Sequence, residues 1–442
     1  MMSVQYFSPP PRWLPLRLLL GGVIAAVVLL LTQQRGLSTL FAWDVPAPGL
    51  WTRCGASLIV LVIALLLALS IGLAAGLLAR RMGPRVEMLV AFFGRALACL
   101  PIAAVAWGFI GGWIGHLGWP VETLLPAQLP EAAGTWQTML ARELWEFLAP
   151  ALVLALPLCG EVIQCVITDA TATADLDFSL RARGVPHSSR LWVHHLRQLL
   201  PLLRVRMQSL CLIAPVYLII VEDVLRFMGW GGWMAQSIRA GDVSGIAHGF
   251  IACGAMLALL CVSLFVLRGK LKSPSSFMPA LAWHPWFLWA LGAMTLPNLS
   301  AVSWLILWLA VLVASSAAWH QAWNSIEDQL PIDASRVLGA SEGMIWLKHI
   351  APVQFRMLAA WVCAVFAQTL LWIAVACAVQ PRLLAELGDH LAQWCRPLAI
   401  ASMQDAAQTL ADPAAMLHAG GSIALAALCL IQVSRIVQPR PT

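Results

Sequence analysis

Charged side chains are scarce in this chain of 442 residues, of which only 11% are Asp, Glu, Lys or Arg while 60% are hydrophobic. Apolar runs of about 20 residues recur along it, and that length crosses the hydrocarbon layer of a bilayer as a helix. Low charge and repeated apolar runs are together typical of a protein that crosses a membrane several times. In such a protein Lys and Arg mostly report which loops stay in the cytosol, so the net charge of +6 does not predict a nucleic-acid partner.

The motifs that carry catalysis or nucleotide binding are also missing. The sequence has no G-x-x-x-x-G-K-[ST] phosphate-binding loop, no H-E-x-x-H, no G-x-S-x-G and no C-x-x-C pair. His187, His194 and His195 lie close together in sequence, but without Cys or carboxylate partners at the spacing of a zinc site. We therefore predict no enzymatic activity, no metal site and no cofactor held by the chain itself.

The cysteines do not form a recognisable disulfide framework. Most of the eleven lie inside apolar runs, where they act as small hydrophobic residues. Cys54 and Cys395 fall in predicted outer loops, and a disulfide between them is left open.

The apolar runs predict an all-α, polytopic membrane protein of about ten transmembrane helices in two pseudo-repeated halves, six plus four. The first half covers residues 1–270, a basic cytosolic linker covers 271–282, and a shortened second half covers 283–442. Most Lys and Arg fall on one side when both termini are placed in the cytosol, which supports that orientation. The predicted spans are 15–32, 56–78, 88–113, 148–168, 207–222, 247–267, 283–298, 302–322, 357–379 and 419–436.

Two polar segments, 175–201 and 333–352, interrupt the apolar pattern, and each contains a glycine and a histidine at the same spacing. Gly184 lies ten residues before His194, and Gly339 lies ten residues before His349, so both pairs are offset by 155 (339 − 184 and 349 − 194). An internal repeat with so long an offset indicates that the fold contains two copies of one structural unit. Each copy predicts a short helix, a glycine where the backbone turns or approaches another group closely, and a second short helix.

Both segments resemble the coupling loop of ABC-importer permeases, whose pattern is E-A-A-x3-G-x9-I-x-L-P. In the second segment, His349 stands where that pattern has Ile. The residues that fall at the other positions of the pattern are Asp333, Ala334, Ser335, Gly339 and Pro352. The first copy is similar to the dipeptide/oligopeptide/nickel branch, with D-Y-x-x-x-A-R-A-K-G, then H-x-L-R and L-P. The matching residues are Asp175, Arg181, Ala182, Arg183, Gly184, His194, Leu196, Arg197, Leu200 and Pro201. Residues 221–242 resemble the V-E-x-V-F…G-x-G segment of the same branch.

The resemblance implies a permease subunit of an importer in the bacterial cytoplasmic membrane, with two permease-like halves fused in one chain. Separate ATPase subunits would bind ATP and dock on the two segments, and an extracytoplasmic solute-binding protein would deliver the cargo. Peptides are the first candidate cargo, and nickel or a metal chelate is the next. Membrane lipid is a further partner, and a second permease chain is left open. The plainer alternative is that each segment is an amphipathic connector that only holds two helices.

Charged residues inside predicted spans are candidates for a translocation pathway. Arg95 and Glu161 are predicted at similar depth in neighbouring helices, which favours a buried pair, either structural or part of a pathway. They also support an alternative for the whole protein, a secondary transporter coupled to ions. Glu222 matches the Glu of V-E-x-V-F and either lines the outer mouth of the pathway or is an ordinary polar helix end. Residues 135–148 predict an amphipathic helix lying along the outer membrane surface.

Overall fold

The computed structural model describes residues 23, 49–111, 136–168, 179–186, 194, 196–266, 338–339, 341–379, 395 and 413–437. Every regular element in these ranges is a helix. Apart from Val23 in the predicted span 15–32, that span, the predicted spans 283–298 and 302–322 and the linker 271–282 lie outside the described residues. Four described helices are long and apolar enough to cross a membrane, Leu50–Met82, Glu146–Ile167, Val243–Leu260 and Ala351–Val379, with a bent pair as a fifth if it counts as one span. The part of the chain that the structure describes is therefore all-α, with helices suited to a membrane protein.

The helices before the linker follow the predicted runs but extend beyond them. They are α1 (Leu50–Met82), α2 (Pro84–Ala98), α3 (Ile102–Gly111), α4 (Trp136–Thr168), α5 (Leu196–Val224), α6 (Trp230–Ala240) and α7 (Val243–Val266). After the linker come α8 (Glu342–Ile345), a π-helical turn (Trp346–Ile350), α9 (Ala351–Val379) and α10 (Pro413–Val437). Helix α5, which covers the predicted span 207–222, is not among the four apolar spans.

The run predicted as one span at 88–113 forms two helices instead of one. Helices α2 and α3 meet there at 95°, with a break over Cys99–Pro101. Pro101 has no backbone N–H to donate, and its ring disfavours helical backbone at the residue before it. Periodicity missed this break because apolar residues continue through it. Residues Ile102 to Trp107 of α3 are all buried, so this short helix lies inside the fold.

Two further expectations also need correction. The predicted surface helix at 135–148 is continuous with the span after it, because α4 is one helix of 33 residues that passes through Pro150 and Pro157. Cys54 does not lie in an outer loop: it is buried in α1, and both it and the buried Cys395 are free thiols. The disulfide between them is therefore absent.

Glycines set how closely the first helices pack. Gly72 and Gly76 of α1 lie four residues apart and face Val162 and Val166 of α4, so that a methyl group on Gly76 would be 2.6 Å from Val166 Cγ1. This is the small-xxx-small contact of membrane helices, in which the missing side chain lets two backbones approach. Helix α2 reaches the same α4 through Gly94 and Gly160, where a methyl group on Gly160 would be 2.4 Å from the Gly94 carbonyl oxygen.

Replacing Gly76 with Leu should push α1 away from α4. Because Val166 is buried behind the glycine, the added side chain cannot be accommodated without moving a helix, and we expect a cost of at least about 1–3 kcal/mol. The measurement is the thermal unfolding temperature of the purified protein in detergent. Gly55→Leu in the same helix is the matched control, because no atom lies within 4 Å of the methyl position there. Equal unfolding temperatures in the two variants would contradict this packing.

Helices α5 and α9 correspond to each other residue by residue at the offset of the two glycine segments. Each has 29 residues, and both ends differ by 155 (351 − 196 and 379 − 224). The helices touch in their C-terminal thirds, through Tyr217 and Trp372, and their last residues, Val224 and Val379, line one small pocket. They therefore run in the same direction, and their N-terminal ends, which follow the glycine segments, point to the same side of the molecule.

Candidate functional site

The first glycine segment ends a helical turn in a left-handed residue. Gly184 has φ of +72°, its N–H donates to the Arg181 carbonyl at 2.9 Å, and the Val185 N–H donates to the Leu180 carbonyl at 3.1 Å. This pair of hydrogen bonds is the Schellman motif, whose turning position has a positive φ and favours glycine, with Asn as the next best residue. Backbone geometry therefore favours glycine at this position. No heavy atom of the described chain lies within 4 Å of where a side chain would begin.

The second glycine segment also contains a glycine in the left-handed conformation. Gly339 has φ of +78° and is equally open around the Cβ position. After it the chain enters α8 at Glu342, passes through the π-helical turn and continues as α9 without a break. The second segment is thus joined to a transmembrane helix through unbroken helical backbone.

π-Helical turns occur at the corresponding histidines. His194 lies in such a turn two residues before α5 begins, and His349 lies in the π-helical turn that precedes α9. Single π-turns within α-helices are uncommon and often mark functional positions. The two copies therefore share a positive-φ glycine, a π-turn at histidine ten residues later and a long helix after it.

The two segments expose different chemistry. Arg181, Ala182, Arg183 and Gly184 are exposed, while Leu180 before them is buried. The second segment exposes large apolar side chains, with Leu338 at 86% and Leu347 at 68% of full exposure. We call these residues the second-segment apolar surface: Leu338, Met344, Trp346, Leu347 and Phe355. Apolar side chains gathered this densely on an exposed turn are typical of a contact with a partner or with lipid.

Several predicted coupling residues can be placed and others cannot. Leu196, Arg197 and Pro201 lie in the first turns of α5, and Pro352 is the exposed second residue of α9. The remaining predicted coupling residues, which lie outside the described residues, are Asp175, Asp333, Ala334 and Ser335.

Glu222 lies in a buried polar site at the C-terminal end of α5. The side chain has no exposed surface, and its carboxylate accepts hydrogen bonds from the Gly231 N–H at 2.6 Å, the Gly232 N–H at 3.1 Å and the Ser57 hydroxyl at 2.6 Å. The Ser57 oxygen in turn accepts from the Trp230 N–H at 2.7 Å. Glu222 and Ser57 together satisfy the first N–H groups of α6, which have no partner within their own helix.

The glycines around this site make room for the carboxylate. A methyl group on Gly229 would be 2.3 Å from Glu222 Oε2, and one on Gly231 would be 2.8 Å from the Leu218 carbonyl oxygen. The V-E…G-W-G-G pattern therefore encodes a buried helix cap joined to three helices, α1, α5 and α6. This geometry accounts for Glu222 as a polar helix end, and its place in a pathway stays a prediction. The neighbouring Asp223 forms an ion pair with Arg239.

Arg95 lies near the C-terminal end of α2 and joins three helices. Its Nε donates to Gln164 Oε1 in α4 at 3.2 Å, and its guanidinium also donates to Gln432 Oε1 in α10 at 3.1 Å. Gln164 is held in turn by a hydrogen bond from its amide nitrogen to the Ala91 carbonyl at 2.6 Å. Ser57, Gln164 and Gln432 escaped the sequence interpretation, although a polar residue inside an apolar run is the signal that could have found them.

The predicted equal depth of Arg95 and Glu161 agrees with the packing of their helices. Gly94 and Gly160, each adjacent to one of the two charged residues, lie opposite each other where α2 and α4 pack closely. Arg95 and Glu161 therefore lie at the same level of the bundle. Their predicted ion pair and any role in a pathway stay predictions.

The described residues define a helical membrane protein with a repeated turn-and-helix element and buried polar links between its helices. Comparisons with known protein families, with curated proteins and with solved structures found no match for this chain. Any functional conclusion must therefore come from the chain's own residues and geometry.

Proposed function

We propose that the chain is the membrane-spanning permease subunit of an ATP-binding-cassette importer, energised by separate ATPase subunits that dock on the two glycine segments. The observation that carries the proposal is the pair of positive-φ glycines, Gly184 and Gly339, each followed by a π-turn and then by one of two parallel helices of 29 residues. A connector that only holds two helices has no need of such matched geometry. Two identical ATPase subunits that act together need two matching contact sites on the same side of the membrane.

The geometry of the second segment suits a lever. Because α8, the π-helical turn and α9 form continuous helical backbone, a displacement of Trp346 or Leu347 by a partner would move α9 as a rigid body. Closure of an ATPase dimer around two such elements would shift α5 and α9 against each other, which is the motion that opens one side of a permease and closes the other.

The exposed side chains suit a protein partner. Leu338, Trp346 and Leu347 offer apolar groups of the kind that fill pockets at protein interfaces, while Arg181 and Arg183 suit acidic groups on the corresponding partner surface or lipid headgroups. The resemblance of both segments to coupling loops makes an ATPase the favoured partner. Peptides are the proposed cargo, with nickel or a metal chelate as the next candidate, delivered by an extracytoplasmic solute-binding protein.

The second candidate function is ion-coupled secondary transport, favoured by the half-buried Arg95 between Gln164 and Gln432. Many secondary transporters contain inverted repeats, in which equivalent helices run in opposite directions. The parallel course of α5 and α9 argues against that class of repeat. Ion-coupled transport also gives no role to the two exposed glycine segments.

Affinity purification of the tagged chain from its native membranes tests the proposal. We expect an ATPase with a phosphate-binding loop to co-purify, and the double variant Trp346→Ala, Leu347→Ala to reduce its recovery about tenfold or more, as a loss of about 1.4 kcal/mol would do. Met82→Ala, an exposed apolar residue at the end of α1, is the control and should retain the ATPase. Absence of any such ATPase, or equal recovery with the double variant, would refute the proposal.

A further inference from the structure

The two equivalent helices touch through equivalent residues. The rings of Tyr217 in α5 and Trp372 in α9 have centroids 6.5 Å apart, and their numbers differ by the same 155 (372 − 217). In a two-fold arrangement, only residues near the symmetry axis can meet their own counterparts. If the two helices were placed arbitrarily, the residues in contact would not be expected to differ by the 155 residues that separate the two copies.

The same offset recurs about two turns further along the same two helices. The small pocket at their C-terminal ends is lined by Asp223 and Ala378 and by Val224 and Val379, two pairs that again differ by 155, and its other lining residues are Ala103, Ile219, Ile220 and Ala235. The axis implied by Tyr217 and Trp372 therefore continues through the pocket. Because the helices are parallel, such an axis runs along them, toward the two faces of the membrane rather than within its plane.

We propose that this chain is an internal pseudo-dimer whose two-fold axis passes between Tyr217 and Trp372, so that one copy forms the whole membrane unit and no second permease chain joins it. Helix α9 occupies the position beside Tyr217 that the equivalent helix of a partner permease would take. Resting on the function proposed above, the assembly would hold one copy of this chain and two ATPase subunits, one on each glycine segment.

Other contacts across the two parts of the chain support the closed unit. Gly420 of α10 packs on Ala104 of α3 so closely that a methyl group would be 2.1 Å from Ala104 Cβ. Arg95 of α2 donates to Gln432 of the same α10. The second half is therefore joined to three helices of the first half by an aromatic contact, a close helix crossing and a half-buried polar link.

The first experiment replaces Tyr217 with the photoreactive analogue p-benzoylphenylalanine and irradiates native membranes. We expect the adduct to stay within one chain, so the mass is unchanged and peptide mapping finds the link at or beside Trp372 of the same molecule. An adduct with twice the chain's mass would overturn the proposal. The same replacement at Phe366, which is exposed on α9, is the control and should not link to α5.

The second experiment co-expresses two copies of the full chain with different tags and purifies one tag under mild conditions. We expect the other tag to be absent and the bound ATPase to be present at two per chain. Recovery of both tags in comparable amounts would overturn the internal pseudo-dimer. Absence of the ATPase together with an intramolecular adduct at Tyr217 would refute the importer function but support the internal pseudo-dimer.

Discussion

Gly184→Val should abolish the stimulated ATP hydrolysis of the permease–ATPase complex while the chain still inserts into the membrane. The glycine has φ of +72°, where a side chain costs about 1–2 kcal/mol, and a β-branched side chain costs more. The Schellman turn would then open, and the helical turn before it would lose its orientation toward the partner. The measurement is substrate-stimulated ATP hydrolysis by the whole complex in proteoliposomes.

A graded series separates backbone strain from steric blockage at Gly184. Nothing in the described chain lies within 4 Å of the Cβ position, so backbone conformation alone should set the order within the chain itself. We expect Asn, which tolerates left-handed backbone, to retain most activity, Ala to lose more, and Val to lose nearly all. Gly55→Val, at an open position without positive φ, is the matched control. If Asn fails as completely as Val, the glycine contacts the partner directly and the strain argument is wrong.

Gly339→Val extends the test to the second segment. Its φ of +78° and its open surroundings match Gly184, so we expect the same loss of stimulated hydrolysis. Normal hydrolysis in both Val variants would contradict coupling through these segments. Loss confined to Gly184→Val would retain the permease and make the second segment a structural partner.

Glu222→Ala should be among the most destabilising single substitutions in the chain. It removes the acceptor for the Gly231 and Gly232 N–H groups and for the Ser57 hydroxyl, all within the buried site. A buried donor left without a partner costs about 1–3 kcal/mol, so the sum should reach several kcal/mol. We expect a large fall in membrane abundance and in the unfolding temperature in detergent. Glu222→Gln keeps one acceptor oxygen and should fall between Ala and the native residue.

A serine pair provides the matched control for this site. Ser57→Ala removes the hydroxyl that bridges Glu222 and the Trp230 N–H, whereas Ser70→Ala, in the same helix, removes only an exposed hydroxyl bonded to the Leu67 carbonyl. We expect the unfolding temperature to fall clearly in the first variant and to stay nearly unchanged in the second. Equal effects would show that the buried cap contributes little to stability.

The sequence predicted the type and order of the described helices well, because long apolar runs have few alternatives in a membrane. It predicted the ends less well. The run at 56–78 lies within α1, which continues at its C-terminal end through Arg80 and Arg81, since charged side chains at a membrane surface do not stop a helix. The glycine segments were found by their spacing, but the sign of φ at Gly184 and Gly339 could not be read from spacing alone.

The parts that escaped prediction are one local bend and two contacts between distant segments. The 95° bend after α2 is set by Pro101 inside an otherwise apolar run, which periodicity does not register. The cap of α6 joins Ser57 to Glu222, and the Arg95 link joins α2 to Gln432. Each is a polar pair separated by more than 150 residues, and no local pattern connects its two members.

Photo-cross-linking from the glycine segments to the ATPase measures the central claim most directly. Replacing Leu347 or Arg183, both exposed, with p-benzoylphenylalanine and irradiating living cells would trap whatever touches each segment, with Met82 as the control position. The account predicts that both segments yield an adduct with a phosphate-binding-loop ATPase and that Met82 does not. Adducts with lipid alone, or with proteins that lack a phosphate-binding loop, would contradict it.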